Sequence, residues 1–438
     1  MSGGRKWGKV GKVAIIFFTF ILLAAGFAYS RTDLGEAASK YDQNLEAAKK
    51  AGLCFTGQDA SKLFEVSDKD NGALLLGDVL KAIENHHLDS PYQIDKYSDQ
   101  EIIDAWEAFG PDLPTLRDAL SKPKVIFPRK FTTPEFYSKN FHKLAALPRL
   151  IVRRARIAAK HDDIERAADL LSLAARLSVH LADEPTLDGM MFRASSASTI
   201  EKELRRLIAS HGHDRKWLAV LDDTLAILDR PYDVRRVLQY EHWSWLWVGK
   251  ILLGDNSSGT LTDLGQRKED SLPNITYAGK SIPRFRTANL SRFHEYYVEA
   301  LLGIPNDQND FVGITKSMMK AYSGIDSSDT SVSFSFLRFQ PMSTSSDVGS
   351  IELVELVEVE TTQRNVLLQT LAFAKSGANP AHGLPLSGRF AMDCGGLKLG
   401  LDHTKDGWIV YSVGKDGKDD HLAPPPAYSD DFIVPLVK

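Results

Sequence analysis

The sequence predicts a mainly α fold: an N-terminal transmembrane helix, an α-helical ectodomain and a small α+β C-terminal module with short antiparallel strands. Three observations predict it. Val13–Tyr29 carries no charge. Apolar residues recur at helical spacing through the middle of the chain. After Gly377 the texture turns to Gly, Pro and Asp with short β-like runs.

The first element reads VAIIFFTFILLAAGFAY, 17 residues long, the short end of what spans a bilayer core. As a helix it satisfies its own backbone, which lipid cannot do. Arg5, Lys6, Lys9 and Lys12 precede it without an acid, and such a cluster keeps an N-terminus cytoplasmic. Residues 1–12 therefore read as a cytoplasmic tail and 13–29 as a transmembrane anchor. The body lies outside the cytoplasm, in a bacterial-type envelope. A cleaved signal peptide competes, with Ala24-Ala25-Gly26 or Gly26-Phe27-Ala28 before the cut. The large Phe27 and Tyr29 near the exit favour an uncleaved signal-anchor.

Composition narrows what the body does. With 43% hydrophobic and 25% charged residues, the chain affords sizeable cores and is not disordered throughout. Setting aside the four N-terminal cations, 49 basic residues face 57 acidic ones, a net of −8. An acidic body argues against nucleic acid, which needs a basic face to displace counterions. Cys54 and Cys394 show no metal-ligand spacing; an oxidising compartment permits a disulfide between them, and two separate small buried residues are the favoured reading.

Residues 30–345 form the mainly helical ectodomain. The stretch from Gly35 to about His87 has helical spacing, with Tyr41, Leu45 and Ala48 on one face. Within it, Ser67-Asp68-Lys69-Asp70-Asn71-Gly72 has the outline of a calcium loop. Lys69, however, occupies the third position, where a carboxylate is needed. Helix initiation by Asp or Asn is the better reading. Prolines at 91, 111, 114, 123, 128 and 134 break Asp89–Pro134 into short helical pieces. A long helical region begins near Phe136. There Ile164, Ala168, Leu171, Ala175 and Val179 form a stripe that Leu170, Leu173, Leu177 and Leu181 widen. Asp183-Glu184-Pro185-Thr186 interrupts before a helix through Leu204, Leu207 and Ile208. Tyr240, Trp243 and Trp247 share a helical face that reads as core. Gly254–Pro283 and Asp326–Ser350 read as long loops, the second as a domain boundary.

Residues 346–438 make the α+β module. A helix over about Ile351–Lys375 carries Leu356, Val359, Gln363, Val366, Leu367 and Leu371 at its spacing. Trp408–Val413 reads as a strand. The run from Gly407 to Asp420, GWIVYSVGKDGKDD, following a long helix and a Gly/Pro-rich passage, resembles the C-terminal portion of type II secretion major pseudopilins. In that family a small antiparallel sheet ends in an acidic, calcium-binding loop. The whole chain also resembles a group of large membrane-anchored bacterial proteins with an Asn-containing helix start, a helical middle and a YSVG-type ending. It departs from pseudopilins at the other end, because Val13–Tyr29 contains no glutamate.

Calcium takes six to eight oxygens. Asp416, Asp419, Asp420 and Asp430 are the candidate ligands, with Asp431 beside the last. Ordinary hairpin-turn chemistry competes. The histidines form no HExxH or other ligand set, and no GxSxG, phosphate-loop or GxGxxG motif is present. No catalytic residue is assigned. The leading expectation is an envelope-anchored interaction or scaffold protein with an envelope protein as its partner. A pseudopilin-related secretion or assembly component and an envelope hydrolase with an unrecognised site are the alternatives.

Overall fold

The computed structural model describes residues 38–88, 91–132, 139–252, 294–305, 313, 349–393, 396–404, 407–413 and 432–435. The anchor segment 13–29, most of both long loops and Cys394 lie outside these residues. The described part is mainly helical with one small sheet.

Helix α1 covers 38–50. It leads through Leu53–Thr56 into α2, Gly57–Lys62. Thr56 starts α2 with a capping box: its hydroxyl accepts from the Asp59 N–H, while Asp59 reaches back to the Thr56 N–H. Helices α3 (Gly77–Asn85), α4 (Pro91–Lys96), α5 (Asp99–Phe109) and α6 (Leu113–Ser121) follow. They are short because prolines punctuate the chain, and Ser98 with Glu101 repeats the capping box at α5. The stretch read as helical from Gly35 to His87 is thus several short helices and turns.

Four long helices build the centre: α7 (Lys139–Lys160), α8 (Ile164–His180), α9 (Leu187–His211) and α10 (Arg215–Leu228). Asp163, Thr186 and Asp214 cap the last three by accepting first-turn N–H groups. The stripe of α8 packs as its spacing predicts. Leu170, Leu171, Leu173, Ala175, Leu177 and Val179 are all buried in one core with α7, α9 and α10. Each fully buried leucine contributes roughly 1.5–3 kcal/mol of transfer free energy.

Helices α11 (Val234–Leu252) and α12 (294–303) close a second core with α1. A third, smaller core joins Cys54, Ala60, Phe64, Ile126, Tyr240 and Trp243. Tyr240, Trp243 and Trp247 of α11 are buried, as a core stripe should be.

The C-terminal helix α13, Gly349–Ser376, packs against α9, α10 and the sheet. Val366, Leu367 and Leu371 enter the main core, together with Leu399, Val410 and Val434 of the following segment. Residues on both sides of the boundary near 346 therefore share one hydrophobic interior. Val359, placed on the apolar stripe by its spacing, is instead 38% exposed. The side facing α9 is charged. Glu360 and Arg364 pair on α13, and Arg364 lies 3.4 Å from Glu201 of α9. All three are at most 2% exposed. Tyr232 donates its hydroxyl to Glu360. Arg193, stacked 3.8 Å over the Tyr232 ring, donates to the carbonyls of Leu228, Arg230 and Pro231 at the end of α10. Burial pulls the Arg193 guanidinium down to about 10 and pushes the Glu201 carboxyl up.

Further along α13, Asn365 donates to the carbonyls of Arg389 and Met392, and Gln369 to those of Leu386 and Phe390. These amides pin a loop whose own described backbone pairing is limited to two short 3-10 turns, Pro380–His382 and Gly388–Ala391, and the Met392–Lys398 bridge. The chain then forms β1 (Gly400–Thr404), β2 (Gly407–Ser412) and β3 (Phe432–Pro435), an antiparallel sheet in the order β1-β2-β3. Gly400 faces Tyr411 across β1 and β2, and a Cβ there would meet the tyrosine ring at 2.3 Å. The glycine lets that ring lie across the strand.

Arg364→Met should destabilise the protein by about 3–5 kcal/mol in urea denaturation, because it strands two buried carboxylates. Lys375→Ala, also on α13 but at the exposed pair with Asp222 of α10, should change stability by no more than about 1 kcal/mol.

Candidate functional site

The most elaborate polar construction surrounds an extended segment, Lys124–Phe131. Its backbone is paired chiefly by side chains. Asn71 takes Ile126 from one side: its Oδ1 accepts the Ile126 N–H at 3.0 Å and its Nδ2 donates to the Ile126 carbonyl at 2.8 Å. Asp183 accepts the Val125 N–H at 2.9 Å, and Glu184 accepts the Phe127 N–H at 2.8 Å. Alternate residues of an extended chain point their N–H groups to opposite sides. Asn71 on one flank and the acidic pair on the other therefore stand where neighbouring strands would.

The stretch Ser67–Gly72 supplies one flank. Asn71 caps the 3-10 turn Gly72–Leu75 by accepting the Ala73 N–H, so it initiates a helical turn as the sequence suggests. Gly72 donates to the Lys124 carbonyl at 2.8 Å. A Cβ on Gly72 would fall 2.0 Å from the Ala119 carbonyl oxygen, so glycine alone permits this approach.

Asp183 and Glu184 sit in the break between α8 and α9, 2% and 0% exposed. Asp183 lies among cations: His180 Nδ1 at 2.5 Å, Arg230 at 2.9 Å and Lys124 at 3.2 Å. The other ring nitrogen of His180 faces the Leu120 carbonyl at 3.2 Å. Carboxylate and carbonyl both accept, so whichever ring nitrogen carries hydrogen meets an acceptor. Burial alone would raise the Asp183 carboxyl, but the His180 hydrogen bond and the three positive charges hold it below the usual range. Glu184 pairs with Arg129, whose guanidinium lies 4.5 Å over the Phe64 ring. Asp188, one turn on, is pushed up to about 6 by burial, with Arg129 opposing. Glu241 of α11 accepts the Leu187 N–H at 3.2 Å and is pushed up to about 7, chiefly by burial.

Beside this segment lies an open groove of about 640 Å³. Its apolar lining is Phe64, Val66, Leu74, Ile126, Phe127 and Phe131, and Glu65, Asp68 and Arg129 add charge. Leu74 stands 48% exposed at its edge. Behind the groove, Tyr240 and Trp243 pack edge-on and tilted against Phe64 and Phe131. The arrangement is an open groove of mixed apolar and charged lining. Cys54, buried in the same small core, is a free thiol pushed up to about 12 by burial and the charge of Asp59, so it is a poor nucleophile.

Asp416, Asp419, Asp420 and Asp430 lie outside the described residues, in the connection from β2 to β3. Among the described residues, no three or more His, Cys, Asp or Glu side chains converge as a metal-holding group, and no helix is long and apolar enough to cross a membrane. Sequence reasoning identified Asn71 only as a helix starter and Asp183-Glu184 only as a helix break. The one signal of their second role is a pair of adjacent acids ahead of a proline, beyond the reach of any local helix they could cap. No protein-family model, curated protein or solved structure matches the chain.

Asp183→Asn tests the clasp. Asp183's folded value is depressed, so its contribution is present above the unfolded value near 3.9 and lost as pH falls through the folded one. The variant should lose on the order of 2–3 kcal/mol at pH 7. It should also show a flatter loss of stability below about pH 4 than the wild type; both are read from urea midpoints.

Proposed function

We propose that this is an envelope-anchored interaction or scaffold protein. Residues 13–29 hold it in a membrane as a single-pass anchor, with residues 1–12 cytoplasmic and the helical body outside the cytoplasm. The observation that carries this reading is the uncharged run Val13–Tyr29 behind four cations. The body supports it in a second way. The buried charges around Asp183 and Glu360 are spent on joining helices and loops, and the open surface they support is a shaped groove. An envelope protein is the expected partner, and nucleic acid is not.

The test is fractionation of the full chain in a bacterial host. It should stay with membranes through alkaline carbonate, keep Met1–Ser30, and have its body digested by protease added outside the cytoplasmic membrane. A chain lacking residues 1–30 should leave the membrane fraction. A mature chain that begins near Tyr29 would replace the anchor with a cleaved signal. A body shielded by the cytoplasmic membrane would overturn the topology.

The second reading is a pseudopilin-related secretion or assembly component that binds calcium. The strand register favours it. Ser412 pairs with Phe432, so the connection holding Asp416, Asp419, Asp420 and Asp430 starts and ends side by side. Its carboxylates have a short loop closure to make. Calcium should then raise the Tm of the full chain, since a ligand that binds only the folded form stabilises it. Asp419→Ala with Asp420→Ala should abolish the rise; an unchanged Tm in the wild type would remove the ion site.

A further inference from the structure

Two histidines that none of the readings above uses face each other in the second core. His242 of α11 and His294 at the start of α12 are both 0% exposed. His242 Nδ1 lies 2.8 Å from the Cys54 carbonyl, and its Nε2 lies 2.9 Å from His294 Nδ1. A carbonyl only accepts, so His242 Nδ1 carries hydrogen. In the neutral pair, His242 Nε2 is then a lone pair and His294 Nδ1 donates to it. One hydrogen lies between the two rings, and two will not fit.

The surroundings are aromatic. Phe55 lies 4.9 Å from His242 and 5.5 Å from His294; Tyr297 lies 5.3 Å from His242, and Tyr41 5.7 Å from His294. Among the described residues, titratable groups nearby come from four elements. From α1, Lys40 pairs with Glu295 of α12 at 3.1 Å. From the 53–56 segment comes the Cys54 thiol, pushed up to about 12 by burial. From α11, Glu241 is turned to the Leu187 N–H. From α12, Tyr297 is pushed far up by burial and by Glu241's charge. Thiol and phenol therefore stay neutral through the range where imidazole titrates.

The pair sits where α12 joins the body. Elsewhere α12 is held by Asn44 and Lys40 on Glu295, and by Arg235 on the carbonyls of Leu301 and Ile304. We infer that His242 and His294 form a proton-sensitive latch that fastens α12 to α11 near neutral pH and releases it in acid. A first added proton can be shared along the ring-to-ring bond if His294 turns its own hydrogen to Nε2. A second sets two N–H groups against each other at 2.9 Å inside an aromatic cage, and α12 must leave. The sign follows from linkage. Unfolded histidines titrate near 6.5 and together take two protons, whereas the closed latch takes at most one. Closure therefore weakens as pH falls. Between pH 7.5 and 5 the opening constant of α12 should rise roughly thirtyfold, the factor for one histidine denied its proton 1.5 units below its free value. Glu241 and Asp188 work in the opposite sense. Their folded values are raised, so acid strengthens the structure around them.

Hydrogen exchange on the full chain in detergent tests the latch. Protection of 294–303 is expressed relative to α8 in the same molecule at each pH, which removes the intrinsic pH dependence of exchange. In the wild type the ratio should fall roughly thirtyfold from pH 7.5 to pH 5. His294→Asn keeps a donor toward His242 and can flip its amide to accept from a protonated His242, so its ratio should stay nearly constant. A constant wild-type ratio would overturn the latch whether or not the variant folds, and so would an equal fall in His294→Asn.

Discussion

One guanidinium holds the centre of the described structure together. Arg364 stands between Glu360 on its own helix and Glu201 on α9, in an interior where an unpaired charge costs several kcal/mol. Around that contact the other buried polar groups take their places. Tyr232 reaches Glu360, Arg193 lies on Tyr232, and Arg193 closes the carbonyl end of α10. The long helices on either side are brought into register by charge and hydrogen-bond geometry as much as by apolar fit. A hydrophobic interface tolerates sliding, but a set of donors and acceptors buried at fixed positions does not.

The same economy appears at Lys124–Phe131. An extended chain inside a helical protein has no sheet to join, and its N–H groups cannot be left dry. Asn71, Asp183 and Glu184 supply the missing acceptors, and the cations around Asp183 keep that carboxylate ionised for the task. The groove is a consequence. Its floor is tied from both flanks, and the aromatic side chains of Phe64 and Phe131 that line it pack against Tyr240 and Trp243 behind.

Much of the helical plan was legible. The leucine stripe of α8, the break at Asp183–Thr186 and the extent of α13 all follow from local spacing. What escaped was long-range polarity. Glu360 and Arg364 stand at i, i+4 spacing, which is equally ordinary on a surface, and their burial depends on packing against Glu201, far back in the sequence. Val359 failed for the converse reason: its spacing matches the stripe, but the helix turns its charged side to α9. Asn71, Asp183 and Glu184 were visible as punctuation, yet their partner segment is more than fifty residues away from each. The acidic connection after β2 was legible as a composition, and the pairing of Ser412 with Phe432 gives it two neighbouring ends.

The place of α13 in the chain sets an order of assembly. Helices α9 and α10 are synthesised more than a hundred residues before the helix that covers them. Until residues 349–376 emerge, Glu201 has no Arg364 and the apolar faces around Leu204 and Leu225 lack part of their cover. Contacts of such sequence separation are late and slow to form, and uncovered apolar surface is prone to aggregate in the meantime. The nascent chain must therefore be kept from sticking while the residues between α10 and α13 are made, and a version truncated before α13 would leave bare the sides of α9 and α10 that this helix covers.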